Sequence, residues 1–384
     1  MFVRDPVALA QRLVRRPSIA PLDSGAFGDM EAALQGLGFK CHRWFSDPAG
    51  DNPVDILYAR LGEDAPHLCF GGHLDVAPVG DEPLWSDDPF NAVIEDGVLR
   101  GRGAVDMKGA IGAFVAAVSR LMADSGPPAG SLSVLLTGGG WAAVSAKEQA
   151  LGDRLALLNA NFDHGLIGAP TARDRAGDAI ALGRSGVVLA TLTVEAAQDR
   201  AGVASANANG ALVSLLGAAT AEPFDAGDAP FPPSEIVVTA LSSAPNSWSL
   251  APARAEASLT MLHNRLWSDR SLVALLEKWL DQAGADLGLA WSLKTKVLSA
   301  PFLCGDPIWA DFVADAAAGV SGAEAARTAG GPPASAALLA PLCPTIEIGL
   351  PVGPSHRVDE AASTADIEAL SDIYLSILKR YYAR

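Results

Sequence analysis

The sequence of 384 residues predicts an α/β protein with a smaller α+β domain inserted into it. Short apolar runs alternate with stretches of helical spacing before residue 180 and after residue 298. This pattern is typical of parallel strands covered by helices on both faces. Between these regions, the order strand–helix–strand–strand–helix suits a small α+β layer. We therefore expect one domain formed by residues 1–180 and 298–384, and a second formed by residues 181–297.

The elements of the larger domain follow in order along the chain. A helix is predicted from residue 6, where Pro6 suits the first turn. Residues 107–124 form a long, largely apolar stretch with helical spacing. A buried strand and a glycine loop follow it at residues 131–140. The predicted helices cover residues 6–16, 26–37, 107–124 and 364–383, and the predicted strands cover residues 54–61, 67–72, 131–137 and 344–350.

The inserted domain shows a different pattern. Its strands alternate apolar and polar residues, as half-buried antiparallel strands do. Its two helical segments carry apolar residues at helical spacing. The predicted strands cover residues 187–196, 235–243 and 253–263, and the predicted helices cover residues 208–220 and 268–284.

The composition excludes several function classes. The formal net charge is −16, and so acidic a surface repels phosphate backbones and anionic lipid. We therefore expect neither nucleic acid nor a membrane surface as a partner. Four cysteines, at positions 41, 69, 304 and 343, form no CxxC pair, which argues against a disulfide framework or a cysteine zinc site. Because no apolar signal core and no long apolar run occur, we expect a cytoplasmic protein.

Three segments carry the motifs that point to chemistry. Residues 71–76 read Gly-Gly-His-Leu-Asp-Val, and residues 101–109 read Gly-Arg-Gly-Ala-Val-Asp-Met-Lys-Gly. Residues 353–360 read Gly-Pro-Ser-His-Arg-Val-Asp-Glu, just before the last predicted helix. In kind and order these segments resemble the succinyl-diaminopimelate desuccinylase and aminoacylase/carboxypeptidase family of two-zinc hydrolases. The resemblance implies a zinc-peptidase-like domain with a central mixed sheet flanked by helices, and an inserted ferredoxin-like domain that acts as lid and dimer contact.

The resemblance also implies roles for four residues. His73 would bind one zinc ion as a neutral imidazole, His356 would bind the other, and Asp106 would bridge the two ions. Asp75, two residues after His73 on the same side of the strand, would orient that imidazole. Taken singly, each residue has a plainer interpretation: a chance His-x-Asp pair, a helix-capping aspartate, or a loop histidine.

The chain departs from the family pattern at the residues that perform the chemistry. After the strand that ends at Thr137, the family has a Gly-Asp-Glu-Glu-Gly loop. Here the water-activating glutamate falls on Gly140, and the zinc-binding glutamate falls on Trp141, whose indole cannot bind zinc. The family's Gly-Glu-Pro-Thr segment reads Gly-Ala-Pro-Thr at residues 168–171, so a further ligand falls on Ala169. We expect Trp141 to fill the metal space, the alternative being an ordinary loop tryptophan that shields the sheet end.

The family's substrate-binding positions change as well. The histidine that reaches across the family's dimer aligns with Arg200. The asparagine and arginine of the later strands align with Ser249 and Leu262. The family's Gly-Gly-Thr-Ser-Asp-x-Arg segment reads Gly-Gly-Pro-Pro-Ala-Ser-Ala at residues 330–336. These losses fall in separate segments of the site and spare the scaffold.

A charge balance determines the cofactor prediction. The family pairs two divalent zinc ions with three carboxylates and two imidazoles, whereas His73, Asp106 and His356 offer a single carboxylate. Each ion would keep one imidazole and half a carboxylate, short of the usual tetrahedral set. We therefore predict no resident cofactor, with zinc bound at most weakly or as a single ion.

These observations favour a catalytically inactive pseudoenzyme that acts by binding. One alternative is a residual amidohydrolase with a single zinc ion that acts on N-succinyl or N-acyl amino acids. A second alternative is a module that senses a small ligand. The expected partners are a second copy of the chain, paired through the inserted domain, and either another protein or a small ligand that resembles an acylated amino acid.

Overall fold

The structure is a computed structural model, and it describes residues 4–46, 54–138, 144–195, 207–244, 252–285, 290–332, 336–353 and 355–383. The chain divides into two compact units. Unit 1 contains Met1–Gly183, Leu303–Thr328 and Ala334–Arg384, and unit 2 contains Arg184–Phe302 and Ala329–Pro333. The domain boundaries predicted at residues 180/181 and 297/298 stay a prediction.

The strands and helices are numbered here in chain order. The strands are β1 (Lys40–Phe45), β2 (Asp55–Leu61), β3 (His67–His73), β4 (Ile94–Glu95), β5 (Val98–Arg100), β6 (Ser131–Thr137), β7 (His164–Ile167), β8 (Ala179–Arg184), β9 (Gly186–Glu195), β10 (Glu235–Ala244), β11 (Arg254–His263), β12 (Ala290–Ser299), β13 (Phe302–Leu303), β14 (Ala326–Ala329), β15 (Thr345–Glu347) and β16 (Ala361–Ser363). The helices are α1 (Pro6–Val14), α2 (Ala26–Gly36), α3 (Gly109–Ser125), α4 (Val144–Leu157), α5 (Ala208–Ala219), α6 (Asp269–Gly284), α7 (Pro307–Ser321), α8 (Ala336–Leu339) and α9 (Thr364–Tyr381).

Unit 1 is built on a mixed sheet with the strand order β1-β2-β6-β3-β7-β15-β8-β13, and β14 pairs with β8. Its centre is parallel, because β3 pairs in parallel with both β6 and β7, and β7 pairs in parallel with β15. Its first two strands are antiparallel. A separate small sheet has the order β16-β5-β4. The predicted α/β class with a mixed central sheet is confirmed.

Helices α3 and α9 pack on the central strands through an aromatic cluster. The Phe70 ring of β3 stacks on the Phe114 ring of α3 with centroids 3.9 Å apart, and the Tyr374 ring of α9 meets both edge-on. All three side chains are fully buried. Burial of such rings contributes about 1.5–3 kcal/mol each, so this cluster holds the sheet in place under the site.

Unit 2 is a four-stranded antiparallel sheet with the order β10-β11-β9-β12, crossed by α5 and α6. Its chain order and strand order are those of the ferredoxin-like arrangement that the resemblance implies. Its core joins both helices to the two central strands, and it includes Leu192, Leu215, Leu259 and Leu276. A role as lid or dimer contact stays a prediction.

Strands β1 and β12 and helix α4 are among the elements that the sequence did not predict. Strand β1 reads Lys-Cys-His-Arg-Trp-Phe, with mostly exposed residues, because it lies at the edge of the sheet. Strand β12 is the exposed edge of the smaller sheet, and α4 has a weakly amphipathic sequence. Among the helices within the described ranges, none combines the length and apolarity of a membrane span.

Candidate functional site

The predicted ligand residues lie at one edge of the central sheet. Parallel strands β3, β6, β7 and β15 all end there, and His73 is the last residue of β3, in register with Thr137 of β6. Side chains at the carboxyl ends of neighbouring parallel strands project into a common crevice. This edge therefore places His73 beside the loops that follow the other strands.

His73 is held by the chain that follows it. Its Nδ1 lies 2.9 Å from the backbone oxygen of Asp75, which fixes the ring so that Nε2 points at Asp106. This contact comes from the carbonyl group of Asp75, and a role for its side chain in orienting the imidazole stays a prediction. Its carboxylate Oδ1 lies 3.8 Å from Nδ1, too far for a hydrogen bond.

Asp106 lies between the two predicted histidine ligands. Its Oδ1 is 3.2 Å from His73 Nε2, and its Oδ2 is 2.9 Å from His356 Nε2. The structure thus brings together three residues that lie up to 283 positions apart in the sequence, with one imidazole facing each carboxylate oxygen. Their role as metal ligands stays a prediction.

Electrostatics couple the three groups. Burial by itself would lower the pKa of His73, but the charge and hydrogen bond of Asp106 outweigh it and raise that pKa to about 9. The hydrogen bond from Asp106 likewise raises the pKa of His356. Burial opposes ionisation of Asp106, yet the two imidazoles lower its pKa well below the usual range. The raised pKa values favour protonated imidazoles, and a metal that binds here would have to displace those protons.

A buried glutamate shapes the loop that carries Asp106. Glu360 Oε1 accepts hydrogen bonds from the backbone amides of Gly103, Val105 and Asp106 at 3.1, 3.0 and 3.3 Å. Its Oε2 accepts from Arg102 Nη1 at 2.7 Å. Because Glu360 follows His356 by four residues, this contact ties the aspartate loop to the histidine loop.

Arg102 and Glu360 lie within two of the sequence motifs, but the motifs alone indicate no role for them. Both are buried, at 3% and 0% exposure. Each lies in a motif, and the two motifs were expected to meet at one site. Because buried charges are normally paired, this could have indicated an ion pair between them. The missing piece was the proximity of the two segments, which only the folded chain supplies.

The segment Arg-Pro-Ser at residues 16–18 contacts the same site. The fully buried Lys108 donates from Nζ to the backbone oxygen of Arg16 at 2.6 Å, and Ser18 Oγ donates to the backbone oxygen of Leu74 at 2.6 Å. Burial lowers the pKa of Lys108 to about 7. The segment after α1 therefore braces both the strand end of His73 and the helix that follows Asp106.

Ala169 lies two residues past the end of β7, at the sheet edge where β3 also ends. Gly71 of β3 is in register with Ile167 of β7, and His73 and Ala169 each follow this last pair by two residues. Ala169 is fully buried, and a Cβ atom on Gly349 would lie 2.2 Å from its carbonyl oxygen. A methyl group thus occupies the place where the resemblance implies a carboxylate.

Five other predicted site residues remain. Gly140, Trp141, Arg200 and Ser249 lie outside the described residues, so the predicted filling of the metal space by Trp141 stays a prediction. Leu262 lies half-buried on β11, paired with Glu235 and Val187.

The described residues fit part of a two-metal centre. A carboxylate whose two oxygens each face a separate imidazole is the donor arrangement of a bridging ligand with one histidine on each side. Because His73 and His356 face different oxygens, the three do not converge on one point. Within the described ranges, no group of three His, Cys, Asp or Glu side chains is placed to hold a single ion. The arrangement therefore does not favour the single-zinc alternative.

Comparison with known proteins gives consistent relatives. Residues 69–380 match the sequence model of the peptidase family M20/M25/M40. A succinyl-diaminopimelate desuccinylase of Rhodospirillum centenum is 37% identical over 382 residues, which cover 99% of this chain and 98% of that protein. The corresponding protein of Maricaulis maris is 38% identical over 380 residues, which cover 98% and 96% of the two chains.

Solved structures share the fold at low identity. Human carnosine dipeptidase 1 superposes with a TM-score of 0.78 at 17% identity and covers 99% of this chain, with 97% of its own chain matched. A Bacillus subtilis protein described as a dinuclear metal binding peptidase from the M20 family has a TM-score of 0.69 at 12% identity, covering 98% and 97% of the two chains.

The prediction of no resident cofactor is wrong in the light of these relatives. The matched family includes a protein described as binding a dinuclear metal, and the curated relatives align over their full length with this chain. The charge balance gave too little weight to the three ligand residues that the structure brings together. The motifs, their order, the mixed sheet and the full-length relatives agree: this chain belongs to the peptidase family M20/M25/M40.

Proposed function

We propose that this chain is a homologue of the succinyl-diaminopimelate desuccinylases in which amide hydrolysis has been lost, and that it acts by binding another protein or a small N-acylated amino acid. The observation that carries the proposal is the buried methyl group of Ala169. It lies two residues past the end of β7, in the segment where the family has a ligand carboxylate.

The sequence adds a second support. The water-activating position of the family falls on Gly140, which has no side chain to take a proton. A general base typically contributes about 10²–10⁴ in rate. Half-buried Leu262 stands at the position of the family's substrate-binding arginine and cannot pair with a substrate carboxylate.

His73, Asp106 and His356 are the residues that would hold a divalent metal. Such a metal would supply a Lewis acid and an acidified water when bound. The chain's own part is to hold the ligands: the Asp75 carbonyl fixes the His73 ring, and Glu360 fixes the loop of Asp106. This scaffold supports ligand binding at the sheet edge, while the family's water-activating position falls on Gly140, which cannot take up a proton.

The test is hydrolysis of N-succinyl and N-acetyl amino acids by purified protein loaded with zinc or cobalt. We expect rates at least about 100-fold below those of a full-length desuccinylase relative assayed alongside, because the general base is missing. His73→Ala should leave the residual rate unchanged, as should His42→Ala, which replaces an exposed ring outside the site. Turnover that His73→Ala abolishes and His42→Ala preserves would contradict the proposal.

Pairing of two copies through unit 2 is part of the proposal. Strand β10 is an edge of the ferredoxin-like sheet and exposes Val237, Val238 and Leu241, the last at 61%. An exposed apolar edge strand is a template for pairing with another strand. A second copy of β10 would cover these side chains and extend the sheet across the two chains.

Light scattering measures this pairing directly. The chain is expected to have the mass of a dimer, and the double variant Val238→Lys/Leu241→Lys is expected to have the mass of a monomer, because two buried charges would oppose the interface. Val297→Lys on the opposite edge strand β12 is the matched control and should stay dimeric. A monomeric chain, or a dimer that survives the double substitution, would reject β10 as the interface.

A further inference from the structure

We propose that the groove between α1 and α2, here called the arginine groove, binds an acidic amphipathic helix of a partner protein. The groove belongs to unit 1 and is distinct from the candidate site. It has a volume of about 710 Å³. The two helices form its walls, and its lining includes Ala8, Leu9, Leu13, Met30 and Ala33.

The floor of the arginine groove is apolar. Leu9, Leu13 and Met30 are at most 5% exposed and close its base. Ala8 on one wall and Ala33 on the other are half-buried and small, so they leave the space between the helices open. An amphipathic helix places apolar side chains in such a groove at positions i, i+3, i+4 and i+7.

The rim of the groove is basic. Arg12, Arg15 and Arg16 line it together with the single carboxylate of Asp29, which leaves two positive charges in excess on a chain of net charge −16. Arg12 Nη2 lies 2.6 Å from Asp29 Oδ1, and Arg16 Nε lies 2.8 Å from Asp29 Oδ2. Both oxygens of Asp29 are thus engaged, while each guanidinium has five N–H donors in total.

The exposure of the arginines fits recognition of an acidic partner. The Arg12 and Arg16 side chains are 58% and 41% exposed, and Arg15 is exposed with one long contact, 3.5 Å from Nε to the Asn91 carbonyl oxygen. Guanidinium groups recognise carboxylates through paired N–H donors. The charge that complements this rim is negative, and the shape that complements the floor is an apolar helix face.

The rest of the protein favours a short peptide over an extended anionic surface. A vesicle of anionic lipid would bring its charge against the whole acidic molecule, whereas a helix lies within the groove and meets the basic rim alone. The inference goes beyond the proposed function, because it concerns a separate surface and its test uses no hydrolysis. A chain that hydrolyses acyl amino acids and also binds the peptide would overturn the proposed function and leave this inference standing.

The experiment measures fluorescence anisotropy of three labelled peptides with the full chain. The first is a helix with leucine at i, i+3, i+4 and i+7 and glutamate on both flanks. The second replaces the glutamates with lysine, and the third keeps the glutamates and replaces the leucines with alanine. We expect the first peptide to bind at least about tenfold more tightly than either of the others, with affinity falling as salt rises.

Matched variants locate the binding. Arg15→Glu reverses a rim charge with little disturbance of the Asp29 pairs, and Ala33→Trp fills the groove without a charge change. Each is expected to weaken the first peptide by about fivefold or more. Arg270→Glu changes charge equally on an exposed position of unit 2 and should leave affinity unchanged. Circular dichroism checks that each variant is folded.

Three outcomes would overturn the proposal. One is the absence of binding by the first peptide, and another is equal binding by wild type, Arg15→Glu and Ala33→Trp. The third is displacement of the first peptide by free succinate or by phosphatidylglycerol vesicles, with the same dependence on Arg15. Displacement by succinate would assign the groove to a small anion, and displacement by vesicles would assign it to lipid.

Discussion

Replacing Glu360 with alanine is expected to lower the free energy of unfolding by about 3–5 kcal/mol, the cost of breaking a buried ion pair. Glu360 is fully buried, and Arg102, its partner, is 3% exposed. The substitution leaves the buried Arg102 guanidinium without its carboxylate partner. It also removes the acceptor for the amides of Gly103, Val105 and Asp106. The midpoint of urea unfolding measures the loss.

The neighbouring aspartate provides the control. Asp359→Ala removes a carboxylate one position earlier, whose two oxygens bond to the exposed Ser86 at 2.8 Å. Its loss is expected to cost at most about 1 kcal/mol, because the group is near the surface. A cost for Glu360→Ala as small as that for Asp359→Ala would show that Glu360 does not hold the aspartate loop.

Acidification from pH 6.5 to pH 4 is expected to remove about 3 kcal/mol of stability through His67 alone. His67 is 4% exposed, and its Nε2 lies 2.7 Å from Ser133 Oγ, which donates to Tyr58 Oη at 3.0 Å. Burial, aided by the charge of Arg60, lowers the pKa of His67 to about 4 from its ordinary 6.5. The imidazole therefore stays neutral in the folded chain over this range.

The direction of this effect follows from proton uptake. Below pH 6.5 the imidazole of residue 67 binds a proton in the unfolded chain, whereas in the folded chain it stays neutral down to about pH 4. The unfolded state therefore binds more protons, so the free energy of unfolding falls as pH falls through this window. Above pH 6.5 both states are neutral at this ring, and the contribution is constant.

Urea unfolding at several pH values separates His67 from the carboxylates that also titrate in acid. His67→Gln should flatten the difference between pH 6.5 and pH 4, since the amide takes up no proton. His42→Gln, at an exposed position on β1, is the matched control and should keep the wild-type dependence. An unchanged slope in His67→Gln would refute the assignment.

The candidate site could be predicted in part from its motifs. His73, Asp106 and His356 were identified because each lies in a segment with recognisable neighbours, and the structure places both histidines within 3.2 Å of Asp106. The role of Glu360 could not be predicted, since it depends on three backbone amides at another place in the chain. The contact between the Asp75 carbonyl oxygen and His73 Nδ1 could not be predicted, because sequence spacing cannot distinguish a carbonyl from a carboxylate.

By itself, the sequence determined the α/β class, the inserted α+β unit and the positions of the three predicted ligands. It could do so because hydrophobic periodicity and strand-end motifs are local properties of the chain. Only the tertiary structure decided which oxygen of Asp106 each histidine faces, that Ala169 is buried just past the end of β7, and that an apolar groove lies between α2 and the arginine-bearing α1 segment. These features depend on strand register and on contacts between segments far apart in the sequence, which no local pattern encodes.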